Sequence, residues 1–356
     1  MRATGRLIAL FSFDVGYEVN LEQVRASLPG TEGEPELRRA APPYQEYATP
    51  PLRLPLGRRT VPLGDQPVEA AAGAIVHEFG AVTITLEMPL DCEVQALPAL
   101  TARLTGAGPL EGAARKLSDE IVARLAPAVT SPTVNTFVED YYVIQVDHFT
   151  PPTTVAELLA AERGTLASAL RCEPVPLSDA EVDDVFRTAL SYYPDDLIVT
   201  EWNVALVVDR DYRDALRVLE YLNVQLVELR YYDAVLDRRV AATFPFTAPP
   251  RRAFPLAFRS YRRALDELAA IRLDVATIVE RVHNALKLSG DLYLAKVYAR
   301  TGERLALRAW EDSVERKLDV LQEIHDLLAQ RVSTARAELL EVIIVVLILV
   351  ELLVRV

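Results

Sequence analysis

The chain is poor in the residues that usually announce chemistry. Its 356 residues include two cysteines, Cys92 and Cys172, too few for a disulfide scaffold or a four-cysteine zinc site. Four scattered histidines, at 77, 148, 283 and 325, exclude a histidine-rich metal site. Lysine is nearly absent, 4 against 34 arginines spread along the whole chain, as a GC-rich genome produces. There is no glycine-rich phosphate loop, no G-x-G-x-x-G, no H-E-x-x-H and no G-x-S-x-G, so no cofactor is expected and no catalytic residue stands out. Long apolar runs are scarce too. Leu7–Phe13 is cut off by Asp14 after seven residues with no small-residue cleavage site behind it, which fits a buried strand better than a signal peptide.

What is present is a globular composition, 51% hydrophobic and 25% charged, with length for two domains or three. The net charge of -13 is uneven. Residues 251–356 hold 17 basic and 15 acidic side chains, leaving 21 basic and 36 acidic before them. An acidic front domain argues against nucleic acid as a partner, because phosphate neutralisation needs Lys and Arg.

The periodicity predicts an α+β front domain over residues 1–240. Leu7–Phe13 is a strand and Asn20 caps a short helix with Gln23 three residues on. Nine prolines between Pro29 and Pro67 predict a long excursion with few ladders, since proline lacks the donor. Residues 72–88 predict a hairpin turning at Phe79-Gly80. Helices follow near 94–104 and 110–125, a strand at 138–146, and helices at 155–170 and, capped by Ser178, at 179–192. Leu197–Val204 then echoes Ala74–Ala81 at an offset of 123. The echo predicts a duplicated β-α-β-β-α unit, repeat one at about 1–125 and repeat two at about 135–240, with Gly80 and Asn203 supplying the tight turns. Residues 211–239 form a long helix.

A proline-rich linker, 241–255, leads to a predicted antiparallel helical hairpin or coiled-coil stalk at 256–338, its first helix at 258–288. Val314, Leu318, Leu321, His325, Leu328, Val332, Ala335, Leu339, Val342, Val346, Leu349, Leu353 and Val356 alternate by four and three, a heptad seam. It runs into the apolar tail 339–356, which carries Glu341, Glu351 and Arg355. Two readings of the tail stand side by side, a membrane anchor and the core of an oligomer.

Carboxylate pairs such as Asp183-Asp184 and Asp195-Asp196 read as capping or turn charge. His77 and His148 read as structural, and His325 as a polar register residue on the seam. Trp202, at the second hairpin turn, is a candidate docking aromatic. Arg230, Tyr231, Tyr232 and Asp233 form a second candidate interaction set. Arg230 and Asp233 are i,i+3 neighbours, and the adjacent tyrosines point about 100° apart, so only one can be central to the core. An enzyme using carboxylates between the repeats is a further alternative.

Leu216–Leu236, Gly290–Tyr298 and the ending Ala337–Glu351, with its leucine-glutamate, apolar run and second glutamate, resemble the Required for Meiotic nuclear Division family, best over residues 195–356. The resemblance implies a C-terminal membrane segment, homo-oligomers and no established catalysis. With no organelle transit peptide, the chain reads as bacterial. The expectation is a non-enzymatic, oligomeric scaffold or tether, tail-anchored in the inner (cytoplasmic) membrane, with itself, the bilayer and an unidentified protein as partners.

Overall fold

A computed structural model describes residues 1–28, 32–33, 50–64, 66–104, 108–133, 137–247 and 292–354. Ten strands occur among them. They are β1 (Arg2–Asp14), β2 (Gly16–Val19), β3 (Glu32–Gly33), β4 (Leu52–Leu63), β5 (Gln66–Val76), β6 (Ala81–Glu93), β7 (Val129–Pro132), β8 (Val138–Thr150), β9 (Leu197–Thr200) and β10 (Val204–Val208). Eight of them form one sheet in the order β3-β4-β5-β6-β1-β8-β10-β9, and β2 pairs with β7 apart from it. Only β8 and β10 run parallel; the other neighbours are antiparallel.

β1 lies at the centre because both of its faces are covered. Leu7, Ala9, Phe11 and Phe13 point one way and Ile8, Leu10, Ser12 and Asp14 the other, all buried, so the strand reads as a continuous apolar run. The odd-numbered face meets α3 (Gly108–Leu125) and α4 (Val155–Leu170). Leu110, Ala114, Leu117, Ile121 and Leu125 give α3 one apolar stripe at helical spacing. A capping box sets the start of α4: Thr154 accepts from the Glu157 amide while Glu157 accepts from the Thr154 amide. Smaller helices α1 (Leu21–Ser27), α2 (Leu97–Thr101) and α5 (Asp179–Val185) complete this side.

The other face of the sheet packs against α6 (Arg213–Thr247), where every residue from Asp214 to Leu229 is buried. A seventh helix, α7 (Leu292–Arg304), closes over α6. The Tyr298 ring lies 6.4 Å from that of Tyr221, and its hydroxyl donates to Gln225 Oε1 at 2.7 Å. The chain divides into two compact units, Met1–Leu229 with Glu280–Arg308, and Arg230–Val279 with Ala309–Val356. The second contains most of α8 (Leu307–Val354), a continuous helix of 48 residues.

The mixed α+β class holds, with several corrections of detail. The proline-rich stretch is no irregular excursion where it is described: Leu52–Leu63 and Gln66–Val76 pair as the long antiparallel arms β4 and β5. Beyond Arg53, β4 has no described neighbour on its outer side, so Pro55 and Pro62 forfeit few ladder bonds. The helix expected at 179–192 ends at Val185 and gives way to a 3-10 turn, Phe186–Thr188. The two hairpins are both present, but β1 meets β6 antiparallel whereas β8 meets β10 parallel. The turns differ as well: Gly80 has φ +93°, and Asn203 is not among the residues with positive φ. The partner helix expected at 258–288 lies outside the described residues.

The membrane reading is overturned. Among the described residues no helix is long and apolar enough to cross a membrane, so the tail-anchored inner-membrane localisation is withdrawn. The reason is charge spacing. Val342–Val350 is nine residues, about 14 Å of helix against about 30 Å of hydrocarbon. Glu341 and Glu351 bracket it, and every eighteen-residue window that contains it holds at least three charged side chains.

Gly80 tests the hairpin's placement. A Cβ there would lie 1.7 Å from the Gly16 carbonyl oxygen, in a left-handed backbone. Gly80→Ala should therefore cost at least about 2 kcal/mol by thermal denaturation. Gly112→Ala, on α3 with open space at its Cβ, should gain about 0.5–1 kcal/mol.

Candidate functional site

Because α6 is buried on all sides up to Leu229, its polar side chains need partners inside the protein. Asn223 and Glu220 find them on the sheet and Gln225 on α7. Asn223 Nδ2 donates to Ser12 Oγ at 2.9 Å and to the Glu139 carbonyl at 3.1 Å, and Ser12 Oγ lies 2.8 Å from Thr83 Oγ1. Glu220 Oε2 accepts from Arg53 Nη2 at 2.5 Å. Glu228 is the exception: it is 1% exposed and neither carboxylate oxygen has a hydrogen-bond partner. Burial, and after it the charge of Asp14, push Glu228 well above the usual carboxylate range. Asp14 is itself raised to about 7 by burial, against the opposing help of the Thr133 hydroxyl and the Gly16 amide. Thr133 Oγ1 donates to Asp14 Oδ2 at 2.8 Å, and Oδ1 is unpartnered. Two such carboxyls cannot both ionise cheaply without water, so the site holds protons at neutral pH. His77, at the β5–β6 turn, is buried and pushed down to about 3, by desolvation first and by the Arg53 charge second; it stays neutral. These are acids of raised pKa, but they are closed off beneath α6.

A second cluster is half open. Glu201, on the β9–β10 turn, is fully buried. Its Oε1 lies 2.9 Å from Arg304 Nη2 and its Oε2 3.6 Å from Arg171 Nε. Asp184, at the end of α5, takes Arg171 Nη2 at 2.6 Å and Arg304 Nη1 at 2.8 Å, and also pairs with Arg187. Arg304 Nη2 additionally donates to the Asp184 carbonyl at 2.6 Å. Desolvation raises the Glu201 carboxyl, against the pull of Arg304 and then Arg171. Arg187 and Arg304 border a cleft of about 320 Å³ between the 3-10 turn and α7, lined also by Thr188, Arg300 and Glu303. Sequence reasoning missed it. Asp184 read as helix-end charge, and nothing local ties it to arginines 13 and 120 residues away. The i,i+4 pair Arg300 and Arg304 on one face of α7 was the available signal.

The sequence-predicted residues are dispersed. Trp202 stands 51% exposed beside Glu201, its amide reaching Glu201 Oε2 at 3.4 Å. Tyr232 is buried and Tyr231 half-buried, their rings edge to face. The Arg230 guanidinium sits 5.7 Å from the Trp310 ring. Asp233 accepts from Ser313 at 2.7 Å and pairs with Lys317 at 2.7 Å, with Lys317 also 2.6 Å from Asp237. The quartet thus joins α6 to α8 inside the second unit. Along the seam Val314, Leu321 and Leu328 are buried, while Leu318 and His325 are half-buried. The side chain of Val332 lies outside the described residues. Beyond it Glu341, Val342, Val346, Leu349 and Glu351 are all exposed. Among the described residues no group of three or more His, Cys, Asp or Glu is placed to hold a metal ion.

A wide, largely antiparallel sheet with helices on both faces, leading into a long C-terminal helix, defines a mixed α+β protein with a buried polar layer. The chain belongs to the family described as Uncharacterized protein MJ0711, N-terminal domain, which it matches over residues 4–215, from β1 to the start of α6. The Uncharacterized protein MJ0711 of Methanocaldococcus jannaschii is 21% identical over 238 residues, 66% of this chain and 71% of that protein. No solved structure matches. The matched family and the resemblance to the Required for Meiotic nuclear Division family, centred on 195–356, overlap only at the β9–β10 hairpin and the first residues of α6; the latter assignment is not confirmed.

The buried carboxyls set a pH dependence. An ordinary carboxyl titrates near 4 unfolded, and Asp14 titrates at about 7 folded. The native state therefore binds more protons between those limits, and this contribution to stability falls as pH rises through them. His77 acts oppositely, its contribution being lost as pH falls from about 6.5 towards 3. Asp14→Asn should thus be more stable than wild type at pH 8, by on the order of 4 kcal/mol, with the gain vanishing near pH 4. A gain that does not change with pH in chemical denaturation would count against the buried protonated pair.

Proposed function

We propose that the protein is a homo-oligomeric scaffold that assembles through its C-terminal helix. One observation carries this reading. Thirteen large apolar side chains between Leu340 and Val354 stand 44–81% exposed on α8, on the order of 1,000 Å² of apolar surface where a monomer leaves a few hundred. A stable interface takes about 800 Å² from each partner, so the tail alone is large enough to hold copies together. A second copy of the chain is the partner that fits. The heptad phase of the seam continues through Val342, Val346, Leu349 and Leu353, which gives identical helices a common register. Glu341 and Glu351 fall at outer positions of that repeat, where an assembled bundle leaves them in water.

The stoichiometry follows from the width of the stripe. Ile343, Val345, Val350 and Leu352 flank the seam at e and g positions. Apolar residues there, where two-stranded coils carry charge, favour bundles of more than two helices. The helical stalk belongs to the same reading, with α8 of each chain packed beside its copies. Unit one would then be displayed in several copies, which suits a scaffold or tether for an unidentified protein.

Light scattering tests this. The full chain of 39.5 kDa should elute at three or more times that mass, and a chain ending at residue 339 should elute as a monomer with its melting transition retained. Val346→Lys should weaken the assembly at least tenfold. An assembly that persists after truncation, or a monomeric full-length chain at micromolar concentration, would sink the proposal.

A further inference from the structure

The structure carries a second site that the assembly does not use, and we infer that the arginine-lined cleft between the 3-10 turn and α7 binds a small phosphate-bearing anion. Three of the five lining residues are arginines and one is an acid, in a chain whose net charge is -13. Arg304 and Arg187 already carry Asp184 and Glu201 as counter-charges, so the charge open to an anion is that of Arg300, and a concave wall concentrates its potential.

The arginines are also held in place. Arg304 is fixed by Asp184 and Glu201, neither of which lines the cleft. Its Nε is buried without a hydrogen-bond partner. Arg187 pairs with Asp184. Arg300 donates Nη1 to the Arg187 carbonyl at 2.8 Å, and among the described residues no carboxylate pairs with it. Its charge is therefore uncompensated while its position is set.

The donor type chooses the ligand. Guanidinium groups present forked N–H donors matched to phosphate and carboxylate oxygens. The fork of Arg300, with Arg187 beside it, suits a compact group that carries several anionic oxygens. The volume of about 320 Å³ lies at the small end of ligand pockets, which favours a diphosphate or a compact phosphate ester over a long polyanion. The acidic front unit argues the same way, since it repels an extended phosphate backbone.

Calorimetric titration of the full-length protein with inorganic pyrophosphate, at constant ionic strength in chloride, tests the assignment. Saturable one-to-one binding per chain is expected. Arg300→Gln should weaken it at least tenfold with the melting temperature little changed, because Arg300 holds no carboxylate. Glu303→Gln should strengthen it severalfold by removing the one acid in the wall. No binding at millimolar pyrophosphate would overturn the inference. So would binding that Arg300→Gln and Glu303→Gln leave unchanged, which would mark it as general surface attraction.

Discussion

The first unit depends on one constraint: the leading half of α6 is buried on every side although its sequence is not apolar. Between Asp214 and Leu229 lie Arg217, Glu220, Asn223, Gln225 and Glu228, all buried. A buried polar group without a partner costs on the order of 1–3 kcal/mol. The sheet beneath is therefore not free to be greasy. It offers Ser12 and the Glu139 carbonyl to Asn223, and Arg53 to Glu220, and α7 offers Tyr298 to Gln225 from the other side. These pairs fix the rotation of α6 about its axis more sharply than leucines could, because a turn of one residue would strand every one of them. Glu228 and Asp14 are where the matching stops. There the protein avoids the cost of two buried charges by keeping protons.

The arginine cluster follows a related logic with the opposite sign. Glu201 and Asp184 come from a hairpin turn and the end of a short helix, and they collect Arg171 from the end of α4 and Arg304 from α7. Four segments, only α7 far from the others in sequence, are tied at one corner by two carboxylates. A buried ion network of this kind is weak evidence for stability; its consequence is position. It aligns guanidinium groups along a cleft, and Trp202 is left exposed on the same turn as Glu201. The second unit has its own tie, in which Asp233 and Asp237 share Lys317 and Arg230 lies over Trp310.

Much of the architecture was legible in the chain. Alternation marked the second arm of the 72–88 hairpin, helices were expected near 110–125 and 155–170 where α3 and α4 stand, and Asn20 with Gln23 marked the start of α1, because local patterns answer to local geometry. The proline-rich segment misled, since proline reports only that a donor is missing and not that the strand sits at an edge where few donors are needed. The hairpin echo misled in part, because similar residues can form similar turns while the strands before them run in opposite senses. The tail misled through its length. Counting apolar residues favoured a span, whereas the spacing of Glu341 and Glu351 limits the unbroken run to half a bilayer.

By itself, then, the sequence determined that strands and helices mix, where several of them lie, and that the last helix continues without a break. Those properties depend on neighbours three or four residues away. The tertiary structure alone decided which carboxyls keep their protons and which arginines share a cleft. Asp14 and Glu228 are 214 residues apart, and Asp184 and Arg304 are 120 apart; ionisation responds to burial and to charges within a few ångströms, and neither distance exists until the chain has folded.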